Sequence, residues 1–488
     1  MTSTSPARPF STARSSVDVL HARRWWALVV LCAAQFIVIV DTSIVAIALP
    51  AIQSDLQISS TDLQWVFNAY VVALAGLLLL GGKLADMFGQ RNVFVAGFAI
   101  LTVASVGAGF AQSASTLFLS RGAMGVGAAL VAPSALSLLF TTFGAQPREL
   151  GRALAFFGAA APAGGTAGVF LGGVITEWMD WRWTFLINVP FGLAVLAATA
   201  FVVAPGSRRG GRLDVLGAIT VTSALVIGVY GVVTAPEEGW ASTRTLALIG
   251  TALALLALFI MVEALHKEPL LRLGVFRVPR LAAGNIAMAL LGAAWIPLWF
   301  FLNLYLQQVL GYEAFGSGLA LLPMTGAIML LMVVATGRLT ARLGLRTNIA
   351  AGMGLLVGAL LLFAQSPADG NFLAHVLPAS LLAAAGMSLV FVPAMVSATA
   401  GASESDAGLA SGLVNTSYQV GSALGLAAMV AVAQSNTGRT SVSQLNDGFH
   451  AAFYGAAVLA AIGVAVALGL MRTNSSPLQP TAAPGDAS

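Results

Sequence analysis

The sequence predicts an all-α integral membrane protein with fourteen transmembrane helices. Hydrophobic residues make up 58% of the 488 residues and charged residues 9%, whereas a soluble domain carries roughly 25% charged residues. The apolar residues form continuous runs of about 20 residues, which is the length an α-helix needs to cross a bilayer. A transmembrane β-barrel would instead show alternating strands of about ten residues, so the composition excludes that architecture.

The predicted spans are separated by charged segments or by breaks that contain Gly and Pro. They cover residues 27–49, 63–82, 93–112, 117–140, 153–175, 184–204, 214–234, 245–263, 282–302, 318–336, 348–365, 374–398, 408–433 and 451–471. The first run is too long for the apolar region of a signal peptide, so it is expected to remain as span one. Because the number of spans is even, both termini are expected on the same side.

The distribution of Lys and Arg predicts the orientation. With the N-terminus inside, 19 of the 23 basic residues lie in cytoplasmic segments; Arg182, Arg244 and Arg439 lie outside, and Arg121 lies within a span. Basic residues are retained on the cytoplasmic face, so the sequence predicts a multi-pass protein of the cytoplasmic (inner) membrane with both termini in the cytoplasm. The excess of basic residues therefore reflects topology, and no nucleic-acid partner is expected.

An internal repeat predicts two halves. The segments Gly82–Arg91 and Gly337–Arg346 lie 255 residues apart, and both carry Gly, Leu, Gly and Arg at positions one, three, eight and ten. We predict a cytoplasmic tail (1–25), a six-helix half (26–212), two inserted helices with a cytoplasmic connector (213–280), a second six-helix half (281–472) and a disordered cytoplasmic tail (473–488). Two similar halves that rock about a site at the membrane midplane are typical of transporters.

Several ordered motifs carry a family resemblance. They are Val40 to Val45 with Leu49-Pro50, Gly82 to Arg91, Leu117 to Ala129, Trp181 to Pro190, Leu213-Asp214 with Gly217, Tyr305 to Gln307 with Leu310 to Tyr312, and Gly408 to Gly412 with Asn415 and Gln419. With them the chain resembles the fourteen-helix drug:proton antiporters of the major facilitator superfamily over nearly its whole length. The chain departs from the family pattern at Met87, Gln90 and Met124, and Val169 follows Gly168 where the family has Pro.

Asp41 is predicted to be the proton-coupling residue, because it lies well inside a span. A charged carboxylate at that depth costs roughly 2.5–3.5 kcal/mol on insertion scales, and an ionisable residue there is a functional-site candidate. Desolvation favours its neutral form, so Asp41 is expected to exchange a proton between the two sides or trade it for a cationic substrate. The alternative is that Asp41 lies near a helix end, where it is exposed to water or caps a neighbouring group.

The remaining roles are implied by the resemblance. Arg121 is expected to take part in proton coupling, or else to be a structural Arg bonded to carbonyl groups. The turn residues Gly82, Asp86, Gly89 and Arg91 are expected to form a charged latch on the cytoplasmic side. The alternative is that they only form the turn and anchor it on that side.

The fifth span carries glycines at helical spacing. Gly164, Gly168 and Gly172, with Gly173 beside them, form a small-residue face, which allows close helix packing. The resemblance implies that this face lies against a helix of the second half and favours exchange over leak. Plain tight packing is the alternative.

A third set of residues could line a broad substrate cavity, because aromatic rings and amides bind varied lipophilic molecules. The candidates are Gln35, Asn68, Tyr70, Trp295, Trp299, Asn303, Tyr305, Asn415 and Gln419. Each of them could instead be an interfacial anchor or a helix–helix hydrogen bond. No metal or cofactor site is predicted, and no ATP drive is expected because the chain has no Walker sequence.

The sequence therefore predicts a proton-driven antiporter that exports hydrophobic, cationic, drug-like compounds and is not an enzyme. Its predicted partners are small lipophilic substrates, protons and membrane lipid, and a periplasmic adaptor protein is a further candidate. Export of an endogenous metabolite, antibiotic or lipid by the same fold remains an alternative. An intramembrane enzyme is disfavoured because His21, His266, His375 and His450 lie outside the spans or at their ends.

Overall fold

The computed structural model describes residues 12–58, 62–63, 65–204, 214–265, 279–399, 407–436 and 441–471. Within these ranges all regular structure is helical, which confirms the predicted class. The α-helices are α1 (Thr12–Leu56), α2 (Trp65–Phe88), α3 (Gln90–Gly109), α4 (Ala114–Phe143), α5 (Pro147–Trp178), α6 (Trp183–Leu186), α7 (Asn188–Val202), α8 (Val215–Glu238), α9 (Thr243–Leu265), α10 (Pro279–Leu304), α11 (Ala314–Leu331), α12 (Gly337–Phe363), α13 (Leu377–Ala398), α14 (Ala407–Asn436) and α15 (Val442–Leu470). Short π-helical segments extend α10 and α11 and precede α13.

Thirteen helical segments in the described residues are long and apolar enough to cross a membrane. One of them, Phe315–Phe363, has 49 residues, which at 1.5 Å per residue is far longer than a hydrocarbon core of about 30 Å. The chain turns inside it at Gly344, whose φ of 78° and ψ of 165° are not helical. This segment therefore holds two crossings, and the segments together provide the fourteen that the sequence predicts.

Helix α1 extends beyond its predicted span at both ends. It begins at Thr12, within the predicted tail, and continues through Pro50 to Leu56. Hydropathy marks only the part of a helix that crosses the apolar core, so the predicted span does not include the polar ends of α1. Residues 1–11, most of the predicted connector (266–278) and the predicted disordered tail (473–488) lie outside the described residues.

The two sets of six crossings meet along two seams. Helix α2 packs against α14, and α5 packs against α11. The inserted hairpin α8–α9 lies against α2, and α8 also touches α14. One apolar cluster joins these helices to α10 and consists of Leu79, Ala218, Val221, Phe259, Leu281, Leu409 and Leu413. The inserted pair therefore covers the α2–α14 seam from the side.

The repeated turn has the same geometry in both halves. Gly89 and Gly344, which occupy the same position of the motif, have φ values of 89° and 78°, a region that glycine adopts without steric cost. Arg91 Nη2 donates to the carbonyl of Ala200 at 3.0 Å, and Arg346 Nη2 donates to that of Leu468 at 2.6 Å. Both carbonyls belong to the last turn of a helix, where an Arg satisfies groups that lack intrahelical partners.

Candidate functional site

The centre of the site is an ion pair between α1 and α4. Arg121 Nη1 lies 2.6 Å from Asp41 Oδ2, and both side chains are 0% exposed. A buried pair of opposite charges avoids the cost of isolating either charge in an apolar medium. The two residues that the sequence singled out separately are therefore direct partners, and the carboxylate faces neither lipid nor bulk water.

Arg121 is held by further contacts from α2. Its Nε donates to the carbonyl of Val66 at 2.7 Å, and its guanidinium lies 4.5 Å from the ring centroid of Tyr70. A cation over an aromatic face is attracted by the ring quadrupole. Nη2 has no hydrogen-bond partner among the described residues, so one donor of this buried cation remains open.

Asp41 has a second partner that was not assigned a role from the sequence. Asn188, the first residue of α7, donates from Nδ2 to Asp41 Oδ1 at 2.9 Å. It belongs to the Trp181 to Pro190 motif. The sequence feature that could have marked it as a site residue is an amide placed among apolar residues at the start of a span. Helices α1, α2, α4 and α7 of the first half thus converge on one ion pair.

The glycine face of α5 positions the backbone around Asp41. A Cβ added to Gly168 would lie 2.6 Å from Ser43 Cβ and 2.9 Å from the Val40 carbonyl. The equivalent positions on Gly164 and Gly172 lie 2.7 Å from the Phe36 carbonyl and 3.0 Å from the Ile44 carbonyl. The prediction that this face packs against a second-half helix was therefore wrong, because its partner is α1 of the same half.

Helix α5 meets the second half through other residues. Phe170 and Phe315 of α11 have ring centroids 5.0 Å apart, and the hydroxyl groups of Thr166 and Thr325 are hydrogen-bonded. Gly173 borders a cavity of about 270 Å³ whose rim carries Glu177 and Glu313. This cavity lies between the halves at the end of the bundle opposite Asp86.

Asp86 of α2 joins the two halves at the other end. Its Oδ1 accepts from Gly408 N at 2.8 Å and its Oδ2 from Leu409 N at 2.9 Å, so the carboxylate caps the first turn of α14. A Cβ on Gly82 would lie 2.4 Å from the Gly408 carbonyl, which explains why glycine stands there. Arg91 does not cross the seam, because it bonds within its own half.

The nine candidate cavity residues differ in burial and in hydrogen-bond partners. Tyr70 belongs to the Asp41 centre, and Tyr305 donates to the carbonyl of Pro367 at 2.7 Å. Asn303 accepts from Gln307 at 3.2 Å, and Asn415 donates to Ser411 at 2.8 Å within α14. Gln35, Trp299 and Gln419 are half-buried, and Asn68 and Trp295 are buried. None of the nine lines the 270 Å³ cavity, so their role in binding stays a prediction.

Two further buried acids, Asp214 and Glu263, lie at the inserted helices. Glu263 of α9 is buried and lies close to Asp214, since a Cβ on Gly217 would be 2.5 Å from Glu263 Oε1 and 2.6 Å from Asp214 Oδ2. The sequence placed Glu263 at the end of a span, whereas the helix continues to Leu265. Asp41 is therefore not the only buried acid of the helical bundle.

Known proteins are similar to this chain in sequence. Residues 31–426 match the family model of the Major Facilitator Superfamily. The chain is 41% identical to the cephamycin export protein CmcT of Amycolatopsis lactamdurans, over 88% of this chain and 89% of that protein. It is 38% identical to the puromycin resistance protein pur8 of Streptomyces alboniger, over 87% and 84%, and 35% identical to the tetracenomycin C resistance and export protein of Streptomyces glaucescens, over 88% and 80%.

Solved structures show the same fold at low sequence identity. The human organic anion transporter MFSD10 superimposes with a TM-score of 0.64 at 15% identity, covering 91% of this chain and 99% of that one. A point mutant of the nucleoside transporter NupG gives 0.57 at 12% identity, with coverage of 91% and 99%. The family model and the close relatives extend over most of the chain, and neither points to an enzyme. The chain is a multi-pass membrane protein that belongs to the major facilitator superfamily of transporters.

Proposed function

We propose that this protein is a proton-driven efflux antiporter that exports hydrophobic, cationic, drug-like compounds. The observation that carries the proposal is the fully buried pair of Asp41 and Arg121. A buried titratable acid within a transporter is a natural carrier of protons across the membrane. The names of the relatives, which are export and resistance proteins for antibiotics, support efflux as the direction of transport.

The proposed cycle alternates the partner of the Asp41 carboxylate. A proton on Asp41 removes the negative charge that Arg121 faces, so Arg121 must move toward other acceptors or toward water. Loss of that proton re-forms the pair, or leaves the carboxylate to a cationic substrate. Because proton and substrate compete for one carboxylate, each excludes the other, which is the requirement for exchange.

The Asp86 cap is the proposed gate on the cytoplasmic side. Its two hydrogen bonds must break before the halves can separate along the α2–α14 seam, so the gate is closed in the state described. The cavity bordered by Glu177 and Glu313 would then lie on the outer side, where carboxylates favour the approach of a cation from the centre.

The proposal is tested in everted membrane vesicles with the lipophilic cation tetraphenylphosphonium under an imposed pH gradient. The unchanged protein should accumulate the cation, and Asp41→Asn should abolish gradient-driven accumulation. Asp369→Asn, which alters an exposed carboxylate, is the matched control and should pump normally. Normal pumping by Asp41→Asn would show that this carboxylate does not carry the proton.

A second candidate function is export of an antibiotic that the producing cell itself makes. The 41% identity to a protein named for cephamycin export favours it. Deletion of the gene in the native organism should then lower the amount of that compound in the medium. If deletion changed only the sensitivity to unrelated lipophilic cations, the broader exporter would be the better description.

A further inference from the structure

Two arginines lie on the exposed side of the helical segment that leads into the second-half turn. Leu330, Val334, Arg338 and Arg342 follow one another at four-residue intervals, so they form one stripe along the segment. Leu330 is 63% exposed and Val334 is 47% exposed, and both arginines are exposed as well. The stripe therefore changes from apolar to positively charged as the chain approaches Gly344.

The apolar part of this stripe faces the bilayer. The segment packs against α5 and α13, and its buried residue Met332 has its sulfur 3.4 Å from the Cβ position of Gly158 in α5. Leu330 and Val334 lie two residues before and two residues after Met332, which places them on the opposite side of the helix. They point away from the bundle, toward lipid.

The depth of the two arginines matches the lipid headgroups. The apolar segment begins at Phe315, and at 1.5 Å per residue the helix rises about 35 Å from there to Arg338 and about 40 Å to Arg342. A hydrocarbon core is about 30 Å thick, and the headgroup regions bring a bilayer to about 40–45 Å. Leu330 and Val334 therefore lie beside acyl chains, and the two guanidinium groups lie at the level of the phosphates.

The protein leaves both guanidinium groups without a counter-charge. Arg338 Nη1 donates to the carbonyl of Val334 at 3.2 Å, which holds this side chain along the helix. Neither arginine forms an ion pair with a described residue. A guanidinium has five N–H donors, so most of the donors remain open to a ligand. Phosphate oxygens accept such donors in bidentate pairs.

The equivalent turn of the first half is built differently. By the internal repeat, Met87 stands in the place of Arg342, and Asp86 stands in the place of Ala341. Eight crossings separate the two turns, so both lie on the same side of the membrane. Asp86 ties the first turn to α14, whereas the second turn lacks this acid and carries an additional cation. The excess positive charge is therefore specific to the second turn.

We infer that Arg338 and Arg342 form a binding site for the headgroup of an anionic phospholipid, with an acyl chain of the lipid along Leu330 and Val334. The guanidinium groups donate to phosphate oxygens, and the net negative charge of the lipid balances the two cations. A zwitterionic phospholipid balances them less well, because its own ammonium group offsets its phosphate. The site lies on the lipid-facing side of the second half, so it does not depend on the proposed proton exchange.

Photo-crosslinking in nanodiscs tests this site. The purified full chain is placed in phosphatidylcholine nanodiscs that contain a minor fraction of one of two probes, a phosphatidylglycerol or a phosphatidylcholine with the same diazirine-bearing acyl chain. After irradiation, the adducts are located by mass spectrometry. The phosphatidylglycerol probe should label the peptide that contains Leu330 and Val334 roughly 5- to 30-fold more than the phosphatidylcholine probe, given the attraction of one or two arginines for an anionic lipid.

Variants separate the charge of the arginines from their packing. Arg338→Gln/Arg342→Gln should abolish the excess labelling by phosphatidylglycerol, while Arg338→Lys/Arg342→Lys, which keeps both charges, should retain most of it. Arg244→Gln is the matched control, because it removes an exposed arginine that pairs with Glu238 at the other side of the membrane. This control should leave the excess unchanged.

Two results would contradict the selection of an anionic lipid. They are equal labelling of this peptide by the two probes on the unchanged protein, and an undiminished excess in the glutamine variant. Glycerol phosphate, which has the phosphate but no acyl chain, should not reduce the labelling when it is added to the buffer. Displacement of the probe by glycerol phosphate would mean that the arginines bind a soluble anion, and the inference would be wrong.

Discussion

The guanidinium of Arg121 contacts the carboxylate of Asp41 at 2.6 Å, although the two residues are 80 positions apart and belong to different helices. Each is the charge that makes burial of the other tolerable. Removing one partner therefore differs in its consequences from removing both, and this difference separates a structural role of the pair from a role in transport.

Arg121→Leu should lower the free energy of unfolding by about 3–5 kcal/mol, because it leaves a buried carboxylate without its counter-charge. The double variant Asp41→Leu/Arg121→Leu should recover most of this stability, since an apolar pair of similar volume is often neutral or stabilising. Denaturation of the purified protein in micelles measures both effects. Transport should stay absent in both variants, and recovered transport in the double variant would reduce the pair to a structural contact.

Asn188→Leu should weaken transport by roughly 10-fold or more. The amide donates to Asp41 Oδ1 at 2.9 Å, and a hydrogen bond to a charged group contributes about 1.5–3 kcal/mol. Uptake of tetraphenylphosphonium into everted vesicles measures the loss. Asn92→Leu, which removes an exposed amide that donates to the carbonyl of Phe88, serves as the control, and equal activity of the two variants would exclude a positioning role for Asn188.

Asp86→Ala should open the first turn of α14. The amides of Gly408 and Leu409 donate to this carboxylate, and the first N–H groups of a helix have no intrahelical acceptor. Loss of a cap costs about 1 kcal/mol, so these amides should exchange with deuterium roughly fivefold faster. Hydrogen–deuterium exchange with mass spectrometry on peptides spanning 407–413 measures the rate. Asp447→Ala, at an exposed site in α15, should leave it unchanged, and unaltered exchange in Asp86→Ala would argue against the cap.

Gly168→Ala should destabilise the protein by about 1–3 kcal/mol, because the added carbon overpacks the contact between α5 and α1. A Cβ there meets Ser43 Cβ and the Val40 carbonyl, the residues that flank Asp41, so transport should fall as well. Gly354→Ala is the matched control, since nothing lies within 4 Å of its added Cβ, and it should be neutral or slightly stabilising. Equal thermal unfolding of the two variants would show that α1 tolerates displacement by α5.

The fold was predictable because the bilayer imposes a simple rule on sequence. Each crossing must be apolar over about 20 residues, so the runs identified the fourteen crossings, including the two that meet at Gly344. The same rule fails at helix ends, which explains why α1 and α9 are longer than their predicted spans. The requirement for apolar crossings identified Asp41 and Arg121 as charged residues within apolar runs, but it contains no information on which charged residues contact each other.

Periodicity predicted the glycine face of α5 but not its neighbour. Gly164, Gly168 and Gly172 share one side of the helix by spacing alone, yet any helix of the bundle could approach that side. The structure places α1 there and turns Thr166 and Phe170 toward α11. The role of the candidate cavity residues stays a prediction for a related reason, because a polar or aromatic side chain in a span is as well satisfied by a nearby carbonyl as by a ligand.

The sequence by itself determined the all-helical membrane class, the number of crossings, the duplicated turn and the identity of the buried charges, because each follows from local composition or from a repeat along the chain. Only the tertiary structure decided that Arg121 and Asn188 hold Asp41, that Asp86 caps α14 across the seam, and that the inserted hairpin covers this seam. These contacts join residues far apart in the chain, and their partners are selected by how helices of similar composition pack in three dimensions.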